Sequence, residues 1–497
     1  MASARLTKEC PIIIVGAGVF GLSSALHLSQ AGYKDITVFD KQPYAENEYS
    51  TARGADAASA DLNKVMRMSY GEEIEYQRLA FDGVDTWNAW NREIQSSKPE
   101  DLPRGLKPSD LIWNNCGFLR MSTDGRLSAM ERATLGNMTR EGLRQTQFVI
   151  GDPEDEERAR SHFQPGEWEK KSDPFGRRRQ GKELVGVFDS TAGFVEASKA
   201  CTWVMHLCRK NGVRFVLGKR DGQVASFIKD GNGKTVGIRT VGSAEYRSKL
   251  VILAAGSWTP YLFPAVSSLL ETTAGSVVFF QLPPRDRAPD LWDRFSPENF
   301  PVFSYGGWSN GHGIGGFPRT ENGIVKIGYR GTKYTNYEDV LDPTTGRTHR
   351  ISVPKTAYWP QTYDPAVTKQ AVDAIKEVVK EAMPELAAIG ITGCRNCWYT
   401  DSLDNGFLVD YVPNDEGMVV CSGGSGHGFK FLPTLGREVV KIIEEPEVKN
   451  DYGRLWQWRT KEGPKNGLEQ GEAGPRNWKK QIMATKEDWK FEEASRI

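Results

Sequence analysis

Unbroken apolar runs alternate along this chain with stretches of helical repeat. Runs of β-branched and aliphatic residues at 12–15, 36–39, 213–217, 250–253 and 418–421 predict strands buried on both faces. Residues 272–282, 302–305 and 323–329 alternate apolar with other side chains, which predicts an antiparallel sheet in a second domain. Residues 224–228, 236–241 and 249–253 read as strands of a small sheet returning to the main one. Strand character also marks 109–121, as a strand or hairpin, and 184–196.

Helical repeat covers residues 19–31, stopped by Gly32, and a stretch holding Trp87 and Trp90. Residues 197–211 follow, with Trp203 and Leu207 on the buried side and Gly212 as the stop. Residues 364–387 place Val367, Ala371, Ile375, Val378 and Val379 on one face, and 435–443 form a last helix. Residues 49–60, rich in Gly, Ala and Ser, read as a loop folded close to a ligand. Residues 151–183 mix both charges with Pro and Gly, which predicts a solvated loop region. The charged tail after Glu444 carries Trp456, Trp458, Trp478 and Trp489 and reads as an arm pinned by aromatic anchors.

Composition narrows the class. At 497 residues the chain exceeds one simple core, so two intertwined domains are expected. Hydrophobic content of 39% and charged content of 26% are ordinary for a globular protein. Lys plus Arg equals Asp plus Glu at 64 each, which supports neither a nucleic-acid nor a membrane partner. No apolar run is long enough to span a bilayer. Residues 1–9 are polar and lack the apolar segment of a secretory signal, so the seven cysteines are expected as reduced thiols in an intracellular protein. Ser495-Arg496-Ile497 is similar to the peroxisomal Ser-Lys-Leu address, with an atypical last residue, so the expected location is cytoplasmic or peroxisomal.

Candidate chemistry begins at Gly16, Gly18 and Gly21, a G-x-G-x-x-G between a predicted strand and helix. The first glycine permits the tight turn, the second a close approach to a pyrophosphate, the third close helix packing. The helix N-terminus faces the phosphates, and Asp40, ending the second strand, stands where a carboxylate would accept ribose hydroxyls. Val19, Phe20 and Lys41 flank these groups and join the candidate cofactor-binding set. This much predicts a dinucleotide site and leaves NAD and FAD both open. Cys394-Arg-Asn-Cys397 has no second ligand pair at zinc-site spacing, so no metal site is expected.

Several stretches together resemble one family. They are Asp61-Leu-Asn-Lys64 with Arg67 and Tyr70, Gly316-Phe-Pro318 followed by Val325-Lys-Ile-Gly-Tyr329, Cys397-Trp-Tyr-Thr400, Asn405-Gly-Phe-Leu-Val-Asp410 and Ser425-Gly-His-Gly-Phe-Lys-Phe431. Their kind and order resemble the monomeric sarcosine oxidase and fructosyl amino acid oxidase (amadoriase) family of FAD-dependent amine oxidases. Phe431-Leu-Pro433 and Lys64 look more like the fructosyl branch. The resemblance implies an α/β fold, a Rossmann-like FAD-binding domain interleaved with an antiparallel-sheet substrate domain of α+β type. Residues 1–65, 186–260 and 394–445 would form the first, 66–185 and 261–393 the second, and 446–497 a C-terminal arm.

The resemblance also implies FAD tethered by a thioether to Cys397, with Cys394 an extra thiol outside the pattern. It assigns Lys326 to the oxygen-reactive side of the flavin, Lys64 to a place over the ring, and Arg67 and Lys430 to the substrate carboxylate. Gly426, His427 and Gly428 would form a turn before a helix, supporting charge on the reduced flavin together with Lys430. Arg330 takes the place of a histidine found in sarcosine oxidases. The implied reaction oxidises a secondary amine of amino-acid type, N-methyl or N-fructosyl, to an imine, with O2 reduced to hydrogen peroxide. A cyclic imino acid, a biosynthetic amine whose imine is trapped by ring closure, and a dehydrogenase with a protein acceptor stay open as alternatives. The expected partners are the small amine and O2, with the chain a monomer.

Overall fold

The computed structural model describes residues 6–122, 125–306, 313–356, 367–459 and 467–491. The tripeptide Ser495-Arg496-Ile497 lies outside the described residues. A six-stranded sheet runs in the order Leu408–Val412, Asp415–Ser422, Leu250–Leu253, Ile12–Val15, Ile36–Asp40, Arg214–Leu217. The last five strands are parallel, and Leu408–Val412 joins antiparallel at one edge.

The pleat explains why the predicted runs are unbroken. Ile12, Ile14, Ile36, Val38, Leu250 and Ile252 point into a core shared with the helices Val19–Gln30, Ala197–Lys210 and Leu435–Glu444. Ile13, Val15, Phe39, Val251 and Leu253 point the other way, onto Val224, Phe227 and Ile238. Those three belong to a small antiparallel sheet of Val224–Lys229, Thr235–Thr240 and Glu245–Arg247. Leu250–Leu253 is a strand of the main sheet, not of the small one.

The second large sheet has eight strands, in the order Gly393–Ser402, Leu270–Gln281, Ile324–Tyr334, Ile314–Gly316, Val302–Tyr305, Phe118–Met121, Gly186–Asp189, Gln147–Val149. It is antiparallel except where Val302–Tyr305 runs parallel to Phe118–Met121, so the expected antiparallel sheet is mixed. Residues 109–121 do not form a hairpin. Trp113–Asn114 pairs with Gly193–Val195 in a three-stranded sheet that includes Lys64–Met66, and the chain turns at Gly117, φ +85°, before entering the large sheet. A Cβ at Gly117 would stand 2.1 Å from Phe188 Cζ.

Helix Lys369–Ala382 covers this sheet, burying Val372, Ile375 and Val379 against Val278, Phe280, Val325 and Ile327. Thr368 Oγ1 caps it by accepting from Ala371 N. The start expected at residue 364 falls outside the described residues. The helix stops at Ala382 because Pro384 cannot continue it, and Pro384–Ile389 starts anew.

Residues 151–183 correct a second expectation. They hold helices Pro153–His162 and Glu167–Ser172, with Ala159, Trp168 and Phe175 in the core. Asp152 caps the first helix from its side chain. Trp456 is buried and donates to Tyr76 Oη at 3.1 Å, and Trp478 packs between Tyr334 and Trp398. No helix among the described residues is long and apolar enough to cross a membrane. All seven cysteines are free thiols.

Candidate active site

A groove opens at the carboxyl ends of Ile12–Val15 and Ile36–Asp40. Gly16 (φ +110°) has no room for a side chain, since a Cβ would lie 2.4 Å from Ala254 O. At Gly21 a Cβ would lie 1.8 Å from Gly16 O, the close helix packing expected of the third glycine. Val19 N, at the start of the helix, donates to Ser59 Oγ at 3.0 Å. Asp40 lines the groove, but its oxygens accept from Ala17 N at 2.7 Å and Gln42 N at 2.8 Å, so it also clamps the glycine turn. Burial raises its pKa against those two bonds. Lys41 Nζ sits 3.2 Å above the Trp258 ring, and burial pushes it down to about 7.

From there the groove passes residues 56–59 and 254–258 and reaches Gly424, Gly426, Gly428 and Cys397. Phe20 closes on the second glycine-rich turn, where a Cβ at Gly428 would stand 2.6 Å from its ring. Thr400 Oγ1 lines the same groove and is buried with no hydrogen-bond partner. A long groove with a helix N-terminus at one wall, glycine turns that let backbone approach a ligand, and an unused Thr400 hydroxyl fits FAD.

Lys64, Cys397, Tyr399, Gly426 and Phe429 line this groove and also a second chamber, so the two are continuous. Asp61 is the hub there. Its Oδ2 accepts from Lys64 Nζ at 2.6 Å and Lys326 Nζ at 3.1 Å, and Arg395 lies 3.9 Å from Oδ1. Burial would raise the Asp61 pKa, but Lys326, Lys64 and Arg395 together hold it well below the usual carboxylate range. Lys326 donates also to Asn63 O at 2.5 Å and sits 4.5 Å over the Phe317 ring. Burial, only partly offset by Asp61, brings it down to about 8. Lys64 goes the other way, because Asp61 and then Cys397 outweigh its burial. Lys64 Nζ is 3.5 Å from Cys397 Sγ.

The strand pleat separates the two thiols. Cys397 lies on Gly393–Ser402 three positions after Cys394, so they face opposite sides. Arg395, Cys397 and Tyr399 share the chamber face, while Cys394 packs against the core beneath the sheet.

The other end of the chamber is a hydrogen-bonded chain. Lys430 Nζ donates to Tyr70 Oη (2.8 Å) and to His427 O (2.8 Å). With Tyr70 accepting from Lys430, its hydroxyl donates to His427 Nδ1 (3.1 Å), and His427 Nε2–H donates to Asn405 O (2.8 Å). Burial, with Lys430 next, keeps this imidazole neutral, which agrees with the tautomer. Burial and then Arg67 and Arg330 hold Lys430 well below the ordinary lysine range. Arg67 stacks 4.5 Å over the Tyr70 ring and donates to Ser69 O. A single 3-10 turn, Phe429–Phe431, follows His427, and the helix expected at 435–443 runs Leu435–Glu444.

The fold thus gathers Lys64, Arg67, Lys326, Cys397, Gly426, His427 and Lys430 around one chamber. Gly16, Gly18, Val19, Phe20, Asp40, Lys41 and Gly428 line the groove, while Gly21 acts from behind it through packing. Sequence reasoning gave no role to Asp61, Arg395, Asn63 or Tyr399. Arg395 and Tyr399 alternate with Cys397 on a strand, a period-two signal that could have found them. No group of His, Cys, Asp and Glu among the described residues could hold a metal.

This chain is similar to known proteins over most of its length. A family model described as FAD dependent oxidoreductase matches residues 11–442. L-saccharopine oxidase of Schizosaccharomyces pombe is 24% identical over 466 residues, covering 90% of this chain and 93% of that protein. N-methyl-L-tryptophan oxidase of Salmonella arizonae is 24% identical over 430 residues, covering 86% and 92%. Among solved structures, a modified fructosyl peptide oxidase from Aspergillus nidulans superposes with a TM-score of 0.75 at 23% identity, covering 96% of this chain and 99% of that one. Fructosamine oxidase from Aspergillus fumigatus gives 0.70 at 24%, covering 97% and 98%. These two likenesses show a shared fold.

Proposed function

The chain belongs to the FAD dependent oxidoreductase family, and on that premise we propose that it oxidises a secondary amine of amino-acid type to an imine, with O2 as acceptor and hydrogen peroxide as co-product. One observation carries the reading: the glycine groove runs without a break into a chamber lined by Lys64, Arg67, Lys326, Cys397 and Lys430. The names of both curated relatives, oxidases of L-saccharopine and N-methyl-L-tryptophan, support amino-acid-type substrates.

When bound, FAD would supply the two-electron oxidation of the amine and the reduction of oxygen. The turn at Gly16 and Gly18, with the helix N-terminus behind it, would hold its phosphates. Cys397 is the thiol on the chamber face and therefore our candidate for a thioether tether. Arg67 and Lys430 hold the substrate carboxylate. Its arrival returns to Lys430 the charge that burial and its cationic neighbours disfavour. Tyr70 and His427 keep the Lys430 ammonium aimed. The surrounding cations disfavour the ammonium form of the substrate, leaving the neutral amine that can be oxidised. Lys326, held by Asp61 and Asn63, would stabilise negative charge as oxygen is reduced.

The test is acid precipitation of the purified protein, peptide mapping, and anaerobic mixing with N-methyl amino acids. A yellow pellet, flavin on the Cys397 peptide, bleaching by a secondary amine and peroxide on admitting air are expected. Flavin that no secondary amine bleaches would refute the activity. Bleaching without peroxide would move the assignment to a dehydrogenase with another acceptor.

A further inference from the structure

The inner chamber is lined by more basic side chains than one substrate carboxylate needs. Among the described residues its wall holds five, Lys64, Arg67, Lys326, Arg330 and Lys430, against one carboxylate, Asp61. Lys64 and Lys326 both spend their charge on Asp61. The other three converge at the far end.

Arg330 and Lys430 are anchored to consecutive carbonyls. Arg330 Nη1 donates to Gly426 O at 3.2 Å, and Lys430 Nζ to His427 O at 2.8 Å. Arg330 Nη2 also reaches Tyr399 Oη at 3.3 Å. The backbone makes room for this guanidinium. Gly426 has φ +71°, and a Cβ there would stand 2.1 Å from Arg330 Nη2. A second fork-shaped cation is thus built into the wall one peptide away from the carboxylate anchor. Arg67 and Arg330 both disfavour charge on Lys430, and Glu73 offsets this only in part, so an arriving carboxylate would relieve the repulsion among them.

Resting on the amine-oxidase reading above, we propose that the chamber selects secondary amines carrying two carboxylates, one held by Arg67 and Lys430 and the other by Arg330. The second acid can sit on the far substituent of the nitrogen or on the amino-acid side chain; the shared chemistry is a dicarboxylate.

Sulfide analogues, which present the carboxylates without an oxidisable amine, test this on the holoenzyme through perturbation of the flavin spectrum. Thiodiacetate places an acid on each side of sulfur, (methylthio)succinate places both on one side, and (methylthio)acetate carries a single acid. At least one diacid is expected to bind about tenfold or more tightly than the monoacid. Which diacid it is locates the second carboxylate. In Arg330→Gln the diacid-to-monoacid ratio should collapse toward one, and Arg330→Lys should restore part of it, with bound flavin content reporting intact folding. A ratio near one in the unsubstituted protein, a ratio that survives Arg330→Gln, or no perturbation by any sulfide overturns the proposal. Failure of the underlying reading shows separately, as flavin that no secondary amine bleaches.

Discussion

Lys64 Nζ stands between two side chains, 2.6 Å from the Asp61 carboxylate and 3.5 Å from the Cys397 sulfur. The cation that neutralises the buried hub of the chamber therefore also touches the thiol best placed for a cofactor tether. That geometry would tie the charge network to the proposed tether, and each is separately testable.

Cys397→Ser should leave any flavin in the supernatant after acid precipitation, because the hydroxyl cannot form the thioether. Cys394→Ser should keep flavin in the pellet, since its side chain lies on the opposite face of the strand. Absorbance of pellet and supernatant decides it.

Lys326 titrates at about 8, so its charge is present below that pH and lost above it. Reoxidation of the reduced enzyme by O2, followed by stopped flow, should slow as pH rises through 8. Lys326→Met should lower that rate by roughly 10²–10³-fold and remove the pH dependence, as expected for loss of a preorganised charge.

Asp61→Asn leaves Lys64, Lys326 and Arg395 without their shared carboxylate. A loss of about 3–5 kcal/mol is expected for breaking such a buried network, read as a lower unfolding midpoint in urea. In the unsubstituted protein the Asp61 pKa is depressed on folding. Its contribution is thus fully present above the unfolded value near 3.8 and is lost as pH falls below it toward the folded value.

Tyr70→Phe removes the acceptor of Lys430 and the donor to His427 Nδ1 in one step. The expected result is KM for the amine raised about tenfold, near 1.4 kcal/mol, with a smaller change in kcat. Equal losses in kcat and kcat/KM would instead place Tyr70 in the chemical step.

The βαβ start was legible because unbroken β-branched runs and a spaced glycine trio admit few other structures. The chamber was legible only through motif resemblance, since Lys64 and Lys430 line one chamber from far apart in the chain and no periodicity announces that. Asp61 stayed unassigned although it sits beside Lys64, because an acid before a lysine usually marks a solvated pair. Residues 151–183 misled for a similar reason. Two of their acids are buried but paired, Asp155 with Arg144 and Arg158, and Glu156 with Arg178. The apolar contribution to the core comes from Ala159, Trp168 and Phe175, too sparse a signal to read as helices. The parallel pairing of Val302–Tyr305 with Phe118–Met121 was invisible because alternation reports which face is buried, not which neighbour is chosen.

The sheet order has a consequence for how the protein is made. Ile12–Val15 leaves the ribosome first, but Asp415–Ser422, which extends the same sheet beyond Leu250–Leu253, leaves roughly 400 residues later, some 20–80 s at about 5–20 residues per second. Until then the nucleotide-binding turn lacks the Gly424–Gly428 wall opposite it. Loading of the nucleotide therefore belongs to the end of synthesis, and a truncated or stalled chain holds the fingerprint without a closed place to keep its ligand.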